Sequence, residues 1–134
     1  PALAMQALAP SCRLYLAEPS GAADGARSFA RGVLDHEVVP NTICDGLRGT
    51  LGAINFDMLR AADAQVLTVD DAQTLAALRL LWTRSKQLIE PSSATVLAAV
   101  QQNRALFEGR KVGVILSGGN VDLDTLPALL ASPA

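Results

Sequence analysis

The segment KVGVILSGG, residues 111–119, constrains the fold more than any other stretch: a run of aliphatic residues opens directly into paired glycines. A continuous apolar run reads as a strand covered on both faces, as in a parallel sheet, whereas a half-exposed strand would alternate. Parallel strands need crossover helices, and the rest of the chain supplies candidates. Residues 14–17, LYLA, and 65–69, QVLTV, read as two more strands. Helical patterns fall at residues 2–9 up to Pro10, at 22–31 closed by Gly32, and at 55–62. Asp70 is a good N-cap for a helix running to about Lys86, on which Leu75, Leu78, Leu81 and Trp82 share one face. Ser92 or Ser93 can cap another helix reaching about Phe107 and stopped by Gly109, and a last short helix is expected over 124–130 before the frayed tail SPA. Residues 34–50, with Pro40, Gly46 and Gly49, read as loop. Strands alternating with helices specify an α/β fold with a parallel sheet flanked by helices. Three strands are few for a self-sufficient doubly wound sheet, so the chain is expected to be part of a larger domain.

Composition narrows the function classes. The 134 residues suffice for one domain, and 50% hydrophobic against 18% charged residues allows a packed core. Net charge is −2 with no basic cluster, which argues against nucleic acid, since neutralising phosphates takes grouped Lys and Arg. Two cysteines, Cys12 and Cys44, could form at most one disulfide; the lack of a cysteine framework fits a reducing, cytoplasmic setting. No apolar stretch reaches membrane-spanning length, and the start PALAMQALAP lacks the pattern of a signal peptide. His36 is expected to be solvated and Trp82 to lie in the core.

Four short motifs carry chemistry. In SGGN, residues 117–120, Ser117 offers a hydroxyl and Gly118 and Gly119 allow close approach at the carboxyl end of a strand, where open parallel sheets bind ligands. In LIEPSSA, Glu90 directly precedes a proline-initiated helix, where a carboxylate can face a ligand or simply favour the positive helix end. In AEPSGAAD, Glu18 and Asp24 offer hard oxygen ligands suited to Mg2+ or Ca2+, with a backbone carbonyl between them. In TICDGLRG, the pair Asp45-Gly46 favours a turn.

Taken together, the order and spacing of AEPS, TICDGL, the helix start VDDAQ, IEPSSA and LSGGNVDL resemble the second half of the serine racemase and serine/threonine dehydratase family, the fold-type II pyridoxal-phosphate (PLP) enzymes. The resemblance covers nearly the whole chain and implies part of the large domain of the tryptophan synthase β-like fold. It implies that Ser117 hydrogen-bonds the pyridine nitrogen of PLP, making the ring a milder electron sink than an acidic partner would. Gly118 would follow it at the ring, Gly46 would pass close to the ring with Asp45 supporting its loop, and Glu90 would shape the site. Glu18, the Ala22 carbonyl and Asp24 match the family's divalent-cation site, which steadies the active conformation and is not catalytic. Lys86 and Asn120 match positions near the nucleotide effector site of animal racemases.

Departures from the family pattern are equally informative. The Schiff-base lysine and the glycine-rich phosphate cradle have no counterpart here; Lys86 and Lys111 stand in other contexts, so no catalytic residue is assigned to this chain. Ser93 replaces the smaller Gly or Ala more usual after the EPS of the family's motif. The resemblance implies a complete enzyme acting on a hydroxy amino acid such as serine or threonine, acting as a homodimer, with a missing N-terminal half supplying the lysine and phosphate loop; these 134 residues alone are expected to be inactive. The alternative is a non-catalytic truncated or split subunit that binds a partner chain.

Overall fold

The computed structural model describes residues 1–131. Two strands, β1 (Tyr15–Pro19) and β2 (Gln65–Val69), pair in parallel, with Tyr15 opposite Gln65 and Pro19 opposite Val69. The crossover between them carries a 3-10 turn at Ser20–Ala22, α2 (Asp24–Arg31), a second 3-10 turn at Asp45–Leu47 and α3 (Ala53–Ala61). Ahead of β1 lies α1 (Ala2–Leu8), which packs on α3. After β2 come α4 (Asp71–Ser85), α5 (Pro91–Gln102), α6 (Arg104–Phe107) and α7 (Leu126–Ala131).

The core lies where α4 and α5 pack together and α5 lies against both strands. Val69, Leu75, Ala77, Leu78, Ile89, Ala94, Ala98 and Ala99 form it. Fully buried alanines at 77, 94 and 98 let the helix axes approach closely, and Leu78 fills the space between. Asp70 caps α4 through a capping box: its carboxylate accepts from Gln73 N while the Gln73 side chain accepts from Asp70 N. Lys86 ends α4 in the left-handed conformation. Trp82, half-buried against the core, donates from Nε1 to the Ile89 carbonyl at 2.9 Å and so fixes the link from α4 to α5.

Three expectations are corrected. The run 111–116 is not a laddered strand: β1 and β2 pair only with each other, and no other described residue offers a ladder to this segment. A strand is defined by its neighbour, so an apolar run without one stays irregular, with Val112, Val114 and Ile115 exposed. Neither Ser92 nor Ser93 caps α5. The N-cap is Glu90 and Pro91 takes the first helical position, because its fixed φ and missing N–H suit that place. The expected helix to Phe107 is broken at Asn103, where φ is −116°, into α5 and α6. The tail SPA lies outside the described residues. Both cysteines are free, Cys12 exposed and Cys44 buried, and no described helix is long and apolar enough to cross a membrane. His36 is exposed.

Candidate cofactor site

The loop carrying Gly46 is held from below by α4. Asp71, in the first turn of that helix, accepts the Thr42 hydroxyl at 2.6 Å and the Ile43 N–H at 3.1 Å. Arg48 closes the loop by donating twice to the Thr42 carbonyl, at 2.8 and 3.3 Å. Cys44 is sealed inside, and burial pushes its thiol up to about 11. The Gly46 N–H points outward to Asp45 Oδ1 at 2.8 Å and to Ser92 Oγ at 3.0 Å.

The second loop, residues 117–120, is tied to the start of α5. Gly118 N donates to Ser93 Oγ at 2.7 Å, Glu90 N donates to the Gly118 carbonyl at 3.2 Å, and Asn120 N donates to Glu90 Oε2 at 2.9 Å. The Glu90 carboxylate therefore stands between the two loops. A methyl group added at Gly118 would fall 2.3 Å from Glu90 Oε1, and one at Gly46 would fall 3.3 Å from the same atom. Gly46, Glu90 and Gly118 converge, with Ser117 at the rim: its side chain is exposed, and no described residue hydrogen-bonds its hydroxyl. A free hydroxyl on a fixed backbone, beside two glycines, is a donor set suited to one edge of a flat heteroaromatic ring.

Glu18 and Asp24 form a separate group. Glu18 Oε1 and Oε2 accept the N–H groups of Gly25 and Ala26 at 3.2 and 2.9 Å, and Asp24 Oδ2 accepts Leu51 N at 2.7 Å. Burial holds the Glu18 carboxyl above its ordinary range, the Ala26 hydrogen bond opposes this, and the neighbouring Asp24 charge adds to it. Ala22, two residues before Asp24 in the chain, is buried. Among the described residues no three acidic, histidine or cysteine side chains converge on one point. The two carboxylates and the Gly46 loop line a shared cleft of about 350 Å3, with Leu47, Leu51 and Asn55.

Sequence reasoning passed over Ser92, Ser93 and Asp71 as site-building residues. By local pattern the doubled serine offers only a choice of helix caps, and Asp71 is hidden behind the better cap Asp70. Only the pairing of distant segments gives either a role. Lys86 donates from Nζ to the Thr83 carbonyl within its own helix end, and Lys111 is exposed on the unpaired segment; no described contact links either to the glycines at 46 and 118.

Residues 2–118 match the family described as pyridoxal-phosphate dependent enzymes. The chain belongs to that family. It is 39% identical over 125 residues to a beta-hydroxyaspartate dehydratase of Paracoccus denitrificans, covering 93% of this chain and 40% of the relative. It is 40% identical over 129 residues to a serine racemase of Dictyostelium discoideum, again covering 93% of the one and 40% of the other. Among solved structures, maize serine racemase superposes with a TM-score of 0.86 at 42% identity, over 95% of this chain and 40% of that one. A T.th. threonine deaminase superposes with a TM-score of 0.80 at 38% identity, over 90% and 44%. The family chain thus spans about 40% of the length of the curated relatives it matches. An α/β fold with a parallel sheet flanked by helices, as in fold-type II PLP enzymes, is thereby established.

Proposed function

We propose that the protein carrying this chain is a PLP-dependent ammonia-lyase or racemase acting on hydroxy amino acids. The observation that carries the reading is the convergence of Gly46, Glu90 and Gly118 beside a Ser117 hydroxyl that no described residue engages. The relatives' names support the substrate class: hydroxyaspartate, serine and threonine. PLP, when bound, supplies an electron sink for negative charge developing at the substrate's α-carbon. Ser117 would hold the ring nitrogen through a neutral hydroxyl, Gly46 and Gly118 would give the ring room, and Glu90 would keep the two loops a fixed distance apart. The covalently attached lysine and the phosphate-binding loop are assigned to chain outside these residues, as is the proton transfer at the α-carbon; this segment alone should not turn over substrate.

Glu18, the Ala22 carbonyl and Asp24 are proposed to hold Mg2+ or Ca2+, completed by water, which such hard ions retain. Support comes from the mutual proximity of the two carboxylates, which a cation would relieve. Association into a homodimer belongs to the same reading.

The test is direct. The protein encoded by the whole gene should bind PLP with a visible absorbance band and release keto acid and ammonia, or racemise, with serine, threonine or 3-hydroxyaspartate. A full-length protein that binds PLP and leaves all three unchanged refutes the substrate class. One that takes up no PLP refutes the reading as a whole.

A further inference from the structure

The structure gives the Ser93 hydroxyl a task. The side chain is 6% exposed, at the third helical position of α5, and its Oγ accepts the Gly118 N–H at 2.7 Å. Gly or Ala at this position would leave that N–H without its partner. The N–H belongs to the peptide unit joining Ser117 to Gly118. With the N–H held by Ser93 and the next carbonyl, that of Gly118, held by Glu90 N at 3.2 Å, rotation on both sides of Gly118 is blocked. The backbone on the Gly118 side of Ser117 is thereby fixed. One residue earlier, Ser92 Oγ holds the Gly46 N–H at 3.0 Å on the opposite loop. Adjacent hydroxyls on one rigid helical turn therefore pin both loops, and their separation follows from helix geometry rather than from loop preference.

We propose that Ser93 is a positioning residue for the cofactor's ring nitrogen: it locks the Ser117–Gly118 peptide so that the Ser117 hydroxyl is presented at a fixed place and angle to a flat nitrogen heteroaromatic ring, while Ser92 fixes the opposing Gly46 loop. This rests on the PLP reading above. It differs from a purely structural hydrogen bond in one respect: loosening the peptide should alter the environment of the ring nitrogen, and not merely the stability of the fold.

The experiment uses the full-length protein as wild type, S93A, S93T and S117A, each with PLP labelled with 15N at the ring. Amide exchange is followed without cofactor. S93A is expected to raise exchange at the Gly118 amide about tenfold, the size of effect that losing one hydrogen bond to a buried hydroxyl produces, with protection in β1 and β2 unchanged. In the bound state the ring 15N resonance of S93A should move in the same direction as that of S117A, and S93T should restore the wild-type position. Should S93A fail to fold, S93C keeps the volume with a poor acceptor and is expected to show the same ring shift. A wild-type ring resonance in S93A, whatever its stability, overturns the inference while leaving the PLP reading intact. Wild-type protein that takes up no PLP overturns both, and is recognised because Gly118 protection still depends on Ser93.

Discussion

Replacing Gly118 by alanine isolates what the crowded contact between the two loops contributes. Among the described glycines only Gly32 and Gly109 have positive φ, so the backbone at Gly118 suits any residue and alanine brings no torsional strain. The penalty comes from space alone. The new methyl carbon would lie 2.3 Å from Glu90 Oε1, 2.5 Å from its Cδ and 3.0 Å from Ser93 Oγ. A carboxylate on a flexible stem can swing aside, but doing so takes Oε2 away from Asn120 N. That bond is charge-assisted yet exposed, so its loss costs about 1 kcal/mol, and crowding of the Ser93–Gly118 bond adds about another 1 kcal/mol. With tenfold in binding for each 1.4 kcal/mol, G118A should weaken PLP binding by about thirtyfold. Fluorescence titration of full-length protein with PLP measures this. G113A is the control, since a methyl there meets nothing within 4 Å. E90A removes the clash with the carboxylate and the same hydrogen bond together, so adding G118A to E90A should cost only the crowding at Ser93, about 1 kcal/mol or about fivefold in binding, a non-additive pair. Binding of G118A within twofold of wild type, or full additivity with E90A, would refute the argument.

Leu78→Ala should lower stability by about 3 kcal/mol, because Leu78 is 1% exposed between α4 and α5, while Leu80→Ala, at a site 38% exposed, should lower it by less than about 1 kcal/mol; equal urea midpoints for the two would be incompatible with this core. The Arg27 guanidinium, 2.6 Å from Asp35, holds the Asp35 carboxyl below its ordinary value of 3.8, so its stabilising effect is present above that value and lost as pH falls through the lower, folded-state value. Thermal midpoints of wild type should accordingly exceed those of D35N at neutral pH and converge with them as pH falls through the lowered folded-state value; a gap that widens on acidification would reverse the sign. A thiol reagent at pH 8 should modify Cys12 quickly and Cys44 only after unfolding, as burial and a thiol pushed up to about 11 both protect Cys44. Equal rates in the native protein would contradict its buried place.

Much of this was written in local sequence. Asp70 specifies its capping box and Pro91 its place in the first turn, because each signal acts within a few residues and needs no distant partner; the runs at 14–17 and 65–69 mark segments that become strands by pairing with each other. The family motifs also named Ser117, Gly118, Gly46 and Glu90, and the structure brings the last three together, with Ser117 at the rim. What local pattern could not give was anything that depends on a neighbour far along the chain. The most apolar run, 111–116, carries every intrinsic mark of a strand, yet it has no ladder because pairing belongs to two segments and not to one. Asp71, Ser92 and Ser93 are ordinary polar residues until folding sets them 2.6–3.0 Å from Thr42, Gly46 and Gly118. Composition and motif therefore determined the elements and the chemistry on offer, whereas the spacing of the two loops was decided by tertiary packing, since only the docked start of α5 brings hydrogen-bond acceptors to both at once.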